Sequence, residues 1–167
     1  MREERSSQYA DGLTLRPIRP EDEGFLFEVY ASTRMHELAA PAWSEAQRQT
    51  FLRMQFRAQQ QSYLAQFPTA ACQIILWHER PIGRLYIECR PDEIRGIDIA
   101  LLQEFRQVGI GTAILHGLLA EASRAGKPFR IHVEKFNRAQ NLYKRLGFTT
   151  LADDGMYLFM EWRPDLR

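Results

Sequence analysis

Arg106-Gln107-Val108-Gly109-Ile110-Gly111-Thr112 joins a strand-like run to a helix-like run. The two glycines of this segment let backbone N–H groups approach a ligand without an intervening Cβ. The start of the following helix adds N–H groups that lack intrahelical partners, together with the positive end of the helix dipole. The pattern therefore predicts a phosphate-binding loop over residues 106–112.

Strand and helix signals continue on both sides of this loop. The preceding run, Ile97–Leu102, alternates like a strand, and apolar residues at helical spacing predict a helix from Ile110 to Ala125 that ends at Gly126. The rest of the chain predicts a strand, a short helix and a closing hairpin, namely Phe129–Glu134, Arg138–Arg145, and Phe148–Ala152 with Met156–Trp162.

The first half of the chain predicts a strand, two helices and a hairpin. Leu13–Ile18 alternates like a strand whose proline favours a sheet edge, and a helix begins at Pro20. Ser44 and Gln47 form a capping box for a longer helix that runs to about Ala65. The predicted buried side of that helix carries four residues: Phe51, Met54, Ala58 and Tyr63.

The next two strands flank a turn that we predict between Arg80 and Pro81. Matching the apolar faces of these strands predicts the pairs Cys72–Cys89, Ile74–Ile87 and Leu76–Leu85. The same matching sets Asp98, on the following strand, beside Glu88. Because a reducing compartment disfavours a disulfide, we expect the two cysteines to be buried thiols.

Length and composition limit the class of protein. The 167 residues suffice for one domain with a substantial core, and we expect an extension at residues 1–12 before a single domain at residues 13–167. A net charge of +1 argues against a nucleic-acid binder. The charged start of the chain and the lack of a long apolar run predict a cytoplasmic protein without a membrane segment. No cluster has metal-ligand spacing, so no metal is expected.

A second motif runs from Asn137 to Phe148 and contains Tyr143 and Gly147. With the glycine loop before it, this motif resembles the GNAT superfamily of acyl-CoA-dependent N-acetyltransferases, and the likeness covers nearly the whole chain from about Leu13. The resemblance implies the GNAT fold of the α/β (α+β) class, a mixed, mostly antiparallel sheet of about six or seven strands flanked by about four helices.

The resemblance also implies an acetyl-CoA site. The main chain of Ala100, Leu101 and Leu102 would bind the pantetheine arm like an added strand, where this strand and the one at Ile131 splay apart. Arg106–Gly111 resembles the pyrophosphate loop of the family, and Gln107–Thr112 would hold the pyrophosphate. Gln107 stands where many members have glycine.

Further cofactor contacts follow from the second motif and from a run of basic residues. Asn137 and Tyr143 would contact the cofactor, although capping of a helix is as good an explanation for Asn137. The basic residues near the loop would meet the remaining phosphate: Arg124, Lys127, Arg130, Lys135, Arg138, Lys144 and Arg145.

Transfer of an acetyl group from a thioester to an amine needs a neutral amine, a stabilised oxyanion and a proton for the departing thiolate. The backbone N–H of Leu101 or Leu102 is predicted to polarise the thioester carbonyl. Tyr143 is the predicted acid, because its phenol stays protonated at neutral pH. The alternative role of this tyrosine is packing against Phe148.

Glu88 or Asp98 is the predicted base. Two adjacent carboxylates raise the pKa of one of them, which suits proton transfer near neutrality. The alternative is that both side chains line the solvated side of the sheet. His132 and Glu134, on the neighbouring strand, are weaker candidates.

These residues predict an N-acetyltransferase that uses direct attack by an amine of a small molecule or polypeptide. Cys72 and Cys89 lie on the wrong face in the predicted register to carry an acyl group. The alternative is a non-catalytic acyl-CoA-binding sensor or interaction module with the same fold. Met35–Trp43 and Asp153–Gly155 would border the acceptor site, and pairing of two subunits through the terminal strands is left open.

Overall fold

The computed structural model describes residues 9–34 and 42–165. Within these ranges the chain forms four α-helices and a seven-stranded sheet, which confirms the predicted mixed α/β fold. None of the helices described is both long and apolar enough to cross a membrane. The elements are β1 Leu13–Pro17, α1 Glu23–Arg34, α2 Glu45–Gln66, β2 Ala71–Trp77, β3 Arg80–Cys89, β4 Ile94–Leu101, α3 Ile110–Ala125, β5 Phe129–Glu134, α4 Ala139–Arg145, β6 Thr149–Asp153 and β7 Tyr157–Trp162.

The strands lie in the order β1-β2-β3-β4-β5-β7-β6, and neighbours are antiparallel except for the parallel pair β4 and β5. One face of the sheet packs against α3, whose Ile114 and Leu118 lie in the main core. The other face packs against α1 and α2, which contribute Leu26 and Phe56 to a second core around Ile74. The two helical layers therefore cover opposite faces of one sheet.

The predicted register between β2 and β3 is wrong. The turn lies at His78 and Glu79, whose φ angles of 46° and 67° form a tight left-handed turn, and an irregularity follows between Ile75 and Leu76. Cys72 consequently lies opposite Tyr86 and not Cys89. Both cysteines are thiols and not halves of a disulfide; Cys72 is half-buried, whereas Cys89 is exposed and not buried as predicted.

The predicted register between β3 and β4 is wrong as well. Asp98 lies opposite Tyr86, whereas Glu88 lies opposite Arg95. A β-bulge between these pairs adds one residue to β4, because Tyr86 pairs with Asp98 and the next residue, Ile87, pairs with Gly96. The two carboxylates that the sequence placed side by side are thus separated along the sheet.

Helix α2 begins as predicted but buries a different face. The Oγ atom of Ser44 accepts the N–H of Gln47 at 3.2 Å, and the Gln47 side chain accepts the N–H of Ser44 at 2.9 Å. Leu52 and Phe56 are the buried residues of the helix, whereas Met54 is exposed. The centre of the predicted stripe is therefore displaced by about a third of a turn, and of its four residues Tyr63 packs against Tyr86 of the sheet.

Loss of this capping box has a predictable effect on stability. We expect Ser44→Ala to lower the free energy of unfolding by about 1 kcal/mol, because N–H groups of the first turn lose their acceptor. Urea denaturation measures the change. Ser62→Ala is the control, because Ser62 lies inside the same helix, where its hydroxyl bonds only the exposed Gln66, and this variant should be neutral or slightly stabilising. Equal losses in both variants would contradict the capping role.

Candidate active site

Strands β4 and β5 separate part of the way along their length. The parallel ladder starts at Ile94 and Phe129 and ends at Gly96 and Ile131. A Cβ on Gly96 would lie 2.6 Å from Cγ2 of Ile131 and 2.9 Å from Cε1 of Phe129, so the close approach requires glycine. Beyond this point, no strand among the described residues pairs with the β5 side of residues 97–101. The strands thus splay as the resemblance implied, and we call this gap the opening.

The main chain of β4 turns alternate residues toward the opening. The N–H of Leu102 donates to the Ile82 carbonyl at 2.9 Å, and Ala100 pairs with Arg84. Because backbone groups of an antiparallel strand alternate between its two sides, Ala100 and Leu102 face β3 and Leu101 faces the opening. The prediction of Leu102 as an oxyanion donor is therefore wrong, and Leu101 is left as the candidate donor.

The loop before α3 has the geometry of an anion cradle. Gln107 and Gly109 adopt left-handed conformations with φ of 60° and 90°, which bend the chain into the helix. The N–H of Ala113 donates to the Gly109 carbonyl at 3.0 Å. The N–H groups of residues 110–112 precede this first helical bond, so the helix itself supplies them with no acceptor.

Gly111 leaves free space on the outer side of this turn. A Cβ on Gly111 would meet no atom of the described residues within 4 Å, and its φ is not positive. Neither packing nor backbone conformation within the chain explains a glycine here. The free space beside helix-terminal N–H groups fits a pyrophosphate, so the loop is suited to coenzyme A.

The Arg106 side chain connects the loop to β4 and α1 through two hydrogen bonds. Its Nε donates to the Leu101 carbonyl at 2.8 Å, and its Nη2 donates to the Ser32 hydroxyl at 3.0 Å. Burial lowers the pKa of Arg106, in keeping with its position between the loop and the sheet. These bonds tie the loop to β4 and α1, so the predicted phosphate contact would come from the loop backbone and not from these two nitrogens.

Several charged side chains that we predicted to contact the cofactor phosphate or to border the acceptor site form hydrogen bonds or ion pairs within the protein. The Lys127 ammonium donates to a main-chain carbonyl at 2.8 Å. Arg130 and Lys135 form ion pairs with Glu161 and Asp153, each at 2.7 Å. The Asp154 carboxylate accepts the N–H groups of Met156 and Tyr157 and so closes the β6–β7 turn.

The segment predicted to border the acceptor site is only partly described. Residues 35–41 lie outside the described residues. Trp43 is 39% exposed and packs edge to face against Phe51, with 5.0 Å between ring centroids, so it is not part of the core.

His132, a weaker candidate for the base, lies on β5. Its ring stacks on Phe159 with 4.5 Å between centroids, and burial lowers the pKa of this histidine.

Tyr143 lies on helix α4, and Asn137 lies two residues before the start of that helix. The Asn137 Oδ1 accepts the N–H of Ala139 at 2.9 Å and so stabilises the turn that leads into α4, whose N-cap residue is Arg138. The Tyr143 ring packs against Phe148 with 5.4 Å between centroids. Burial, together with the negative charge of Asp98, raises the pKa of Tyr143 to about 12. The phenol therefore holds its proton across the physiological range.

Asp98 is the carboxylate whose charge acts on Tyr143. It lies on β4 just past the bulge, and its side chain is 16% exposed. Burial raises the pKa of Asp98, although Arg84 opposes this shift with an Nη2–Oδ2 distance of 2.6 Å. That contact is an ion pair and not an aligned hydrogen bond, because Oδ2 lies off the N–H direction. A carboxylate with a raised pKa is suited to accept a proton near neutrality.

Glu88 belongs to a different part of the structure. Its Oε1 accepts the Thr69 hydroxyl at 2.7 Å, and its Oε2 accepts the Arg90 Nε at 2.6 Å. The hydrogen bond from Thr69 and the charge of Arg90 lower the pKa of Glu88. The predicted Glu88–Asp98 pair does not exist, and Glu88 is stabilised in its ionised, proton-poor form. Its proposed role as base is therefore not supported by the geometry.

Sequence reasoning missed the residues that surround Asp98 on the α2 face. Arg84 is 2% exposed, and Gln59 of α2 accepts its Nη2 at 3.0 Å. Tyr63 and Tyr86 pack edge to face, with 5.7 Å between ring centroids. Two signals were present in the sequence: an arginine within an apolar strand and glutamines at helical spacing from buried Phe56.

Comparisons with known proteins agree with this geometry. Residues 69–150 match the model of the acetyltransferase (GNAT) domain. An acetyltransferase from Thermus thermophilus has a similar structure, with a TM-score of 0.68, 18% identity, and 93% of this chain and 99% of that chain covered. The PaiA N-acetyltransferase from Thermoplasma acidophilum, solved with coenzyme A, gives a TM-score of 0.65, 18% identity, and coverage of 90% and 98%.

A third similar structure is the acetyltransferase from Salmonella typhimurium that modifies the N-terminal serine of the 50S ribosomal protein L7/L12. Its TM-score is 0.59 at 20% identity, with 91% of this chain and 93% of that chain covered. No curated protein matches this chain in sequence. The family match identifies residues 69–150 as a GNAT acetyltransferase domain. The similar structures extend the likeness in fold to 90–93% of the chain.

Proposed function

We propose that the protein is an N-acetyltransferase that transfers an acetyl group from acetyl-CoA to an amine of a small molecule or polypeptide. The observation that supports this proposal is that Asp98 lies on β4 beyond the last residue paired with β5, and that its charge acts on the Tyr143 phenol. A proton acceptor and a proton donor would thus lie close to the opening and to the loop before α3. We propose that residues 13–167 form this catalytic unit.

The roles of the residues follow from their positions. Residues 110–112 would bind the pyrophosphate through their N–H groups, and Leu101 would donate its N–H within the opening. Acetyl-CoA, when bound, supplies an activated acyl group as a thioester. Asp98 would accept a proton from the incoming ammonium, directly or through water, and Tyr143 would donate its phenolic proton to the departing thiolate. Leu101 would also stabilise the negative charge on the carbonyl oxygen.

Calorimetric titration with acetyl-CoA, followed by thiol release with a panel of amines and peptides, tests the proposal. Binding together with amine-dependent thiol release would support the enzyme and begin to identify the acceptor. Binding without release across the panel would favour an acyl-CoA-binding sensor or interaction module. An absence of binding would contradict both functions.

The acid role of Tyr143 can be tested by removing a single oxygen. We expect Tyr143→Phe to lower kcat by about tenfold, less than the full effect of a general acid because water can replace the phenol. The ring contact with Phe148 should persist, so the affinity for acetyl-CoA and the melting temperature should change little. Steady-state thiol release and calorimetry provide the measurements. A variant with the wild-type kcat would remove Tyr143 from the proposed mechanism.

Direct attack predicts that no cysteine carries the acetyl group. The structure corrects the reason given by the predicted register, since Cys72 lies opposite Tyr86, on the same face of the sheet as Asp98. Burial raises the pKa of Cys72, however, which keeps the thiol protonated and poorly nucleophilic. We therefore expect the double variant Cys72→Ser/Cys89→Ser to retain its activity. Loss of turnover with folding and acetyl-CoA affinity intact would instead support an acyl-enzyme.

A further inference from the structure

We propose that Arg84 is a positioning residue that holds the Asp98 carboxylate in its charged form at the opening and links that carboxylate to α2. This inference rests on the proposed function, in which Asp98 accepts the proton of the amine. Arg84 is not exposed at the opening, because only 2% of its side chain is accessible to solvent. It would act through Asp98.

The geometry gives Arg84 one partner on each side. Its Nη2 lies 2.6 Å from Oδ2 of Asp98 on β4 and donates to Oε1 of Gln59 on α2 at 3.0 Å. The guanidinium also lies over the Tyr86 ring, 5.5 Å from its centroid. A single nitrogen therefore connects the helix that covers this face of the sheet to the proposed base.

The remaining nitrogens of Arg84 show that stability alone does not explain this arginine. Its Nε and Nη1 are buried and have no hydrogen-bond partner among the described residues. A buried guanidinium with two unbonded N–H groups destabilises a fold relative to an apolar side chain of similar volume. A role at the neighbouring carboxylate explains why a cation lies there.

The surroundings of Asp98 support the same reading. The titratable groups that face it are Tyr86 beside Arg84 on β3, Arg34 at the end of α1, Tyr63 on α2 and Tyr143 on α4. The tyrosines are neutral near pH 7, so the cations acting on Asp98 are Arg84 and Arg34. Arg84 is the one in direct contact. Without it, burial would favour the protonated acid, which cannot accept a proton from the amine.

The pH dependence of kcat/KM tests this role in two variants. Arg84→Met should move the acidic limb of the profile upward by about 1–3 pH units and should leave the KM for acetyl-CoA unchanged, because a charge in direct contact shifts a carboxylate by this amount. Arg84→Lys should restore part of the shift, since it keeps the charge without the planar fork. An acidic limb at the same pH in wild type and Arg84→Met would overturn the proposal.

A matched pair on α2 keeps the test decisive if Arg84→Met fails to fold. Gln59→Leu removes the acceptor that orients the guanidinium and should lower kcat by about tenfold. Gln60→Leu, its neighbour, removes only the contacts with the Tyr86 hydroxyl and should leave kcat unchanged. Equal effects of the two variants would contradict a specific link through Arg84.

A direct titration separates this inference from the proposed function. The carboxyl carbon of Asp98 is followed by ¹³C NMR from acidic to neutral pH in the wild type and in Arg84→Lys. The midpoint should be higher in the lysine variant, and this result does not depend on finding the acceptor. Identical midpoints would refute the role of Arg84, whereas a shifted midpoint in a protein that acetylates no amine would refute only the transferase function.

Discussion

Asp98→Asn should lower kcat/KM for the amine acceptor by about 10²–10⁴-fold while the affinity for acetyl-CoA stays near the wild-type value. The amide has almost the same shape as the carboxylate but does not accept a proton at neutral pH. The expected loss is large because Asp98 is the proposed base and its charge acts on the Tyr143 phenol. Steady-state thiol release at neutral pH, with calorimetry for acetyl-CoA, provides the two measurements.

The stability of this variant must be measured separately, because Asp98 is also the partner of Arg84. Asparagine leaves a buried guanidinium without a counter-charge, and breaking one side of such a pair destabilises a protein by about 3–5 kcal/mol. The double variant Asp98→Asn/Arg84→Met removes both charges and should recover much of that free energy of unfolding. If the double variant is stable and still inactive, the loss of activity comes from the missing proton acceptor and not from unfolding.

Glu88→Gln supplies the matched control for the choice of base. Glu88 is the other carboxylate that the sequence pointed to, and it is bonded to Thr69 and Arg90 away from the opening. We expect its kcat/KM to remain within about threefold of the wild type, because the substitution changes no group at the opening. A loss at Glu88 equal to that at Asp98 would contradict the assignment of the base.

Gly111→Val should raise the dissociation constant for acetyl-CoA by about 100-fold or more. A side chain at this position would fill the free space beside the N–H groups of residues 110–112 and separate them from the pyrophosphate. Hydrogen bonds to a charged group contribute about 1.5–3 kcal/mol each, so the loss of two corresponds to at least a hundredfold in affinity. Calorimetric titration measures this change directly.

Gly24→Val is a closely matched control for the loop variant. Gly24 is the second residue of α1, as Gly111 is of α3, and a Cβ on Gly24 also meets nothing within 4 Å. We expect both valine variants to fold, because a Cβ at either position meets no atom within 4 Å. Only the substitution in α3 should weaken binding. Wild-type affinity in Gly111→Val would show that the loop does not hold the phosphate.

The order of elements was predictable because it depends on local signals. Ser44 and Gln47 start α2 through bonds to each other, and Gly126 ends α3 in a left-handed conformation. The segment between Arg106 and Thr112 leads into α3 as expected, with the bend made by Gly109. Each of these signals acts over a few residues, so the sequence contains the whole of the interaction.

The pairing of strands was not predictable in the same way. The β2–β3 turn uses His78 and Glu79 in left-handed conformations, which the sequence does not mark with glycine or asparagine. The bulge near Asp98 then changes the register again. Since a slip by one residue reverses the faces of a strand, such local irregularities decide which side chains meet.

By itself, the sequence determined the glycine loop at the start of α3 and the helix that carries Tyr143, because a turn, a cap and an apolar stripe are properties of neighbouring residues. The tertiary structure alone decided which carboxylate lies near Tyr143. It placed Asp98 at the opening beside Arg84 and left Glu88 bonded to Arg90 elsewhere. The physical reason is that pairs across a sheet depend on turns, bulges and the covering helix, which act between residues far apart in the chain.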